Sequence, residues 1–190
     1  MEKLLDWLTQ NLSEKRYLHS IGTAEYAENL ARSLGLDEQK AYIAGLLHDC
    51  AKCFPDEKLL DIIKKHIPVE ECELMSKKTL HAPVSAYVAK EIFGVEDDEI
   101  LSSIRWHTLG KLNMTDFEKI IFLADKVELK TRHLDCSAKI REKLKEENGL
   151  NKAMLECYKE TIKSLVNRDL KICPVTITIY NNLEDTVNVN

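Results

Sequence analysis

No stretch of this sequence approaches the roughly 18 uninterrupted apolar residues that a membrane span requires. The N-terminal MEKLLDWLTQNL carries Glu2 and Asp6 where a signal peptide needs an apolar core, so the chain reads as cytoplasmic and without a membrane partner. There is no excess of positive charge either. A net charge of −5 argues against a long nucleic acid as partner and leaves small anions as candidates, provided positive charge is gathered locally. Six cysteines without an export signal read as free thiols, not as a disulfide framework. Internal repeats, low-complexity tracts and linkers are also missing, so the 190 residues are expected to form one domain.

What is present is helical periodicity. Apolar residues recur at spacings of three and four through most of the chain, including RYLHSIGTAEYAENLARSLG, EQKAYIAGLLHDCAK and DFEKIIFLADKVELK. The punctuation agrees: Asp37 is placed to N-cap, Thr115 and Glu118 have capping-box spacing, Pro83 suits a first helical turn, and Gly35, Gly94 and Gly149 stand where helices end. Only VTITIY, Val175 to Tyr180, alternates like a strand. The expected fold is therefore all-α, with residues 172–190 as an extended C-terminal tail.

Two segments break the apolar pattern with a carboxylate. AGLLHDCAK runs without a polar residue into His48 and Asp49, and IIFLADKVE places Asp125 directly after five apolar or small residues. Burying an ionised carboxylate without a partner costs several kcal/mol. A cation held between the two helices satisfies both, and His48 supplies a nitrogen ligand suited to borderline divalent metals. His19 and His107 fall at inward-facing or bundle-end positions, and His81 stands just ahead of the helix that Pro83 begins. His66 and His133 stand among charges and read as solvated.

A histidine on one helix, a His-Asp pair on the next and a distant aspartate make the chain resemble the HD-domain phosphohydrolases. RYLHSIGTAEYAENLA, AGLLHDCAK, LHAPVSAYVA, IRWHTLG and FLADKVE, in that order, resemble the YqeK family of that group over nearly the whole length. The resemblance implies a helical bundle with a metal site between central helices. It also implies symmetrical hydrolysis of dinucleoside tetraphosphates, diadenosine tetraphosphate giving two ADP, with His19, His48, Asp49 and Asp125 as ligands to an iron ion. Manganese, cobalt, nickel or zinc suits the same donors, and a second metal stays open. Asp49 is the residue implied to contact the attacking water or to bridge to a second cation. His81 and His107 contact the phosphate chain or hold that second metal. The family's pattern after its last aspartate has a proline where Leu129 stands, and its arginine arrives one position late, as Arg132.

Positive charge matches a polyphosphate. Arg16 lies three residues before His19 and Lys52 three after Asp49, and Thr108 with the backbone near Gly110 offers further donors. Lys52 is read as catalytic through phosphate binding. Cys50 and Cys53 form a C-x-x-C, yet without a second pair or a βαβ context it is a poor redox or zinc candidate. Two functional alternatives stay open: an HD hydrolase of another nucleotide, and a non-catalytic nucleotide-binding regulatory module.

Overall fold

Helix α2 (Glu14–Leu34) begins where the Ser13 hydroxyl accepts from the Arg16 amide and stops where Gly35 turns left-handed, at φ 68°. Helix α3 (Glu38–Leu47) starts from Asp37, whose carboxylate accepts from the Lys40 amide. The two pack so closely that a Cβ on Gly45 would stand 2.6 Å from the Ala24 Cα, which is why small residues fill this seam. Helix α8 (Asp116–Val127) carries the reciprocal Thr115–Glu118 capping box expected of it. These elements belong to a computed structural model that describes residues 2–132 and 135–188.

Around this centre stand α1 (Glu2–Asn11), α4 (Asp56–His66), the single turn α5 (Glu71–Leu74), α6 (His81–Glu91) and α7 (Asp98–Trp106). Helices α9 (Asp135–Lys143), α10 (Gly149–Val166) and α11 (Pro174–Asn188) complete the described chain. Ile120, Ile121 and Ala124 of α8 join the apolar cluster of the N-terminal helices, while Phe122, Leu123 and Val127 join a second cluster with α10 and α11. Helix α8 is thus covered on opposite sides. A carboxylate on it has no route to solvent except through the bundle, and that is the setting of Asp125, which is 5 % exposed.

Three expectations need correcting. Residues 174–188 form a helix, not an extended tail: Thr176, Ile179 and Leu183 are buried at helical spacing, and α11 packs on α10. Packing overrode the β-branched alternation, because no strand lies among the described residues to pair with it. Gly149 opens α10 and does not close α9; a Cβ there would meet the Leu144 carbonyl oxygen at 2.5 Å, and Asn148 before it takes the left-handed turn at φ 53°. Helix α6 begins at His81 itself, with Pro83 in its first turn.

Candidate metal centre

The chain after α3 does not run straight on. Cys50 N donates to Leu47 O, Lys52 N to Asp49 O and Phe54 N to Ala51 O, a series of tight turns ended by Pro55. Ser85 of α6 fixes this segment, its hydroxyl accepting from the Ala51 amide at 3.1 Å. The result brings His48 and Asp49 against His19 of α2, His81 of α6, His107 at the end of α7 and Asp125 of α8. All six are at most 5 % exposed.

Their inner atoms converge. His19 Nε2 lies 2.8 Å from Asp125 Oδ1 and 3.3 Å from His48 Nε2. His81 Nε2 and His107 Nε2 lie 2.9 and 3.5 Å from Asp49 Oδ1, and 3.2 Å from each other. Donor atoms fall into two groups that share His48: one with His19 and Asp125, the other with Asp49 and His107. The outer nitrogens are committed. His48 Nδ1 donates to Gly45 O at 2.6 Å, His107 Nδ1 to Ile104 O at 2.7 Å, and His19 Nδ1 to Glu128 Oε1 at 3.1 Å. Each Nε2 therefore turns a lone pair inward, the arrangement of a metal-ligating histidine.

Electrostatics give the same reading. Asp49 Oδ1 is buried and has no hydrogen-bond partner of good geometry, although His81 Nε2 stands 2.9 Å away. Burial opposes the charge on Asp49, but His48, His107 and His81 around it hold its carboxyl well below the usual range. Burial likewise opposes ionisation of Asp125, which Lys126, His19 and His48 override. His107 is pushed down to about 4 by burial, so it is a neutral donor at pH 7. His19 is raised in spite of burial, because it stands between the Asp125 and Glu128 carboxylates. Lone pairs and carboxylate oxygens crowded this closely repel unless a cation sits among them, so the residues present fit a divalent metal.

Four cations border the cluster. Arg16 Nη1 donates to Asp49 Oδ2 at 3.0 Å, and Lys52 Nζ lies 3.0 Å from His81 Nε2 and 3.9 Å from Asp49 Oδ1. Arg132, despite its late position, donates from Nη2 to Asp125 Oδ1 at 2.9 Å and from Nε to Asp125 O at 2.8 Å. Lys126 pairs with Asp125 Oδ2. The Gly110 amide is spent on Trp106 O, so that part of the expected phosphate cradle is not available. Thr108 lies beside the cluster, on the wall of a neighbouring cavity. His66 is exposed and stacks on Tyr87, away from the centre, and His133 lies outside the described residues.

Sequence reasoning missed Glu128 and Lys126. Glu128 is fully buried, accepts from His19, the Lys130 and Thr131 amides and the Thr131 hydroxyl, and is held at about 2 against the effect of burial by those donors. Gly22 leaves the space it occupies. Its signal was positional: Glu128 stands three residues after Asp125. The C-x-x-C gains nothing here, since Cys50 is buried with its thiol pushed up to about 12 while Cys53 is exposed.

A family model described as HD domain matches residues 16–130. The chain belongs to the HD-domain family. Within it, the chain is 37% identical over 181 residues to a symmetrical bis(5'-nucleosyl)-tetraphosphatase of Halalkalibacterium halodurans, with 95% of each chain covered. A Bacillus subtilis protein of the same name is 36% identical over 180 residues, again with 95% of each covered. A solved structure from Clostridium acetobutylicum, described as a predicted HD superfamily hydrolase involved in NAD metabolism, superimposes with a TM-score of 0.90 at 35% identity over 97% of both chains. HD domains bind divalent metals, and the buried histidines and aspartates of this one form a donor cluster that could hold such an ion.

Proposed function

We propose that the protein hydrolyses dinucleoside tetraphosphates symmetrically, converting diadenosine tetraphosphate and water to two ADP. The observation that carries this is the pairing of a buried His/Asp donor cluster with four bordering cations, in a chain whose relatives are named for that reaction. His19, His48, Asp49 and Asp125 would hold the metal, iron in this reading, and His107 adds a donor for a second ion. Such a metal polarises a phosphoryl oxygen and acidifies a water.

The chain's own residues do the rest. Asp49, ionised at neutral pH and with Oδ1 unpaired, orients the attacking water by accepting its hydrogen. Arg16, Lys52 and His81 hold the phosphate under attack from one side. Lys126 and Arg132 face the departing ADP from the other and stabilise its developing charge. Burial of the cluster keeps bulk water from screening these contacts. The same reading places the protein in the cytoplasm, where six unpaired thiols are stable.

Chromatography of the products tests it. Metal-loaded protein should release only ADP, with oxygen-18 from solvent entering the terminal phosphate of one of the two products. ATP plus AMP would exclude symmetrical cleavage. Binding without turnover in iron, manganese, cobalt, nickel and zinc would make the protein a regulatory module, and elemental analysis should find iron in the purified protein.

A further inference from the structure

An α-helix ends with four backbone carbonyls that find no partner inside the helix. In α8 these belong to Ala124, Asp125, Lys126 and Val127, and all four are taken. Ala124 O accepts from the Glu128 amide at 3.0 Å, and Asp125 O from Arg132 Nε at 2.8 Å. Helix α9 supplies the other two donors. Ser137 Oγ donates to Lys126 O at 2.7 Å, and Arg141 Nη1 donates to Val127 O at 2.8 Å. The two cations that contact Asp125, Lys126 and Arg132, therefore sit at a helix end that α9 braces.

Arg141 makes a second contact. The same Nη1, with two hydrogens to give, lies 3.3 Å from Arg132 O, so one nitrogen ties together both ends of the loop that leaves α8. Within the loop, Glu128 accepts from the Lys130 and Thr131 amides. Its single apolar residue, Leu129, is 62% exposed and anchors nothing. Arg141 itself is half-buried and makes no ion pair among the described residues; its charge is spent on two main-chain carbonyls.

We propose that Arg141 is a positioning residue for Arg132: by fixing the main chain at both ends of the loop, it holds the Arg132 guanidinium on Asp125, where the departing ADP develops charge. The inference rests on the reading of the donor cluster as a dinucleoside tetraphosphate hydrolase. With Nε and Nη2 committed to Asp125, Nη1 of Arg132 is left to meet a phosphate oxygen. A donor stabilises developing charge best when it needs no reorganisation at the moment of reaction. The Arg132 side chain is 34% exposed and carries many rotamers, so a loop free to move would let it swing into water. The Arg141 contact restrains that loop.

Kinetics and nitrogen-15 NMR test the assignment. On metal-loaded protein, Arg141→Met should lower kcat for diadenosine tetraphosphate about tenfold and leave KM within about twofold, because Arg132 acts on charge that the transition state alone carries. In an Arg132→Ala background the same substitution should cost less than about twofold, since nothing remains to be positioned. A similar loss in both backgrounds, an unchanged kcat, or a loss of metal that accounts for the lost rate would each overturn the inference. The second readout needs no turnover. In zinc-loaded protein the Arg132 Nε–H signal, assigned by its disappearance in Arg132→Ala, should exchange slowly with solvent, and at least about tenfold faster in Arg141→Met. Exchange unaltered by the variant overturns the role of Arg141, and a wild-type signal that exchanges like a free guanidinium does so without any variant having to fold. If the wild type cleaves no diadenosine tetraphosphate with any of the metals tried, the reaction falls, and the exchange rates still decide whether Arg141 holds Arg132.

Discussion

The two aspartates at the centre carry the same charge in opposite states of completion. Asp125 lies on a helix covered from both sides, and Arg132, Lys126 and His19 all turn toward it. Asp49 lies in a turn, accepts from Arg16 on one oxygen and leaves the other buried without a hydrogen bond. Networks of the first kind hold a fold together, because removing the carboxylate strands several charges. An unfinished carboxylate is a cost to the fold, retained for what it binds. Both are metal-donor candidates, but only one of them is also a structural keystone.

Removing each in turn should separate these roles. Asp125→Ala and Asp49→Ala should both abolish hydrolysis and metal retention. In metal-free protein, urea titration should show Asp125→Ala less stable by about 3 kcal/mol, the low end for a broken buried pair since Arg132 and Lys126 can partly rehydrate. Asp49→Ala should stay within about 1 kcal/mol of wild type, because relief of a buried carboxylate oxygen without a well-formed hydrogen bond offsets loss of a half-exposed arginine contact and of the neighbouring His81 and His107 contacts. Equal destabilisation would erase the distinction, and full metal occupancy with normal rates in either variant would remove that aspartate from the centre.

Glu128 belongs to the completed side and should show an intermediate effect. It holds His19 through Nδ1 and is itself held by two amides and a hydroxyl. Glu128→Gln keeps the size but weakens the acceptor, so metal affinity should fall about 10–100-fold while saturating metal restores most of the rate. A rate that stays low at full occupancy would instead place Glu128 in the chemical step.

The same contrast governs how much could be read beforehand. His48, Asp49 and Asp125 were visible because a charge after an apolar run is an anomaly, and α2, α3 and α8 because their caps and periodicity agree. Glu128 was not visible: VELK looks like a solvated helix end, and only the packing of α2 over it through Gly22 buries it. Helix α11 was misread because β-branched residues signal strand locally, while its helical state depends on a long-range contact with α10. The cavity beside the centre joins residues from 72 to 176, a distance in sequence that no periodicity spans.

Lys52 should give the smallest effect, on the open side of the cluster. Its ammonium approaches His81 at 3.0 Å and Asp49 at 3.9 Å, and burial lowers its pKa. A protonated amine has no lone pair for a metal, so its use is to meet the phosphate that completes Asp49's surroundings. Lys52→Ala should therefore keep its metal and lose roughly tenfold in kcat/KM, the worth of one charge-assisted contact discounted for a side chain still 27% exposed. The loss should appear with diadenosine tetraphosphate and should shrink when arginine replaces the lysine, since the charge returns. If metal is lost while substrate affinity is intact, Lys52 shapes the donor cluster and the open side is less open than its unpaired oxygen suggests.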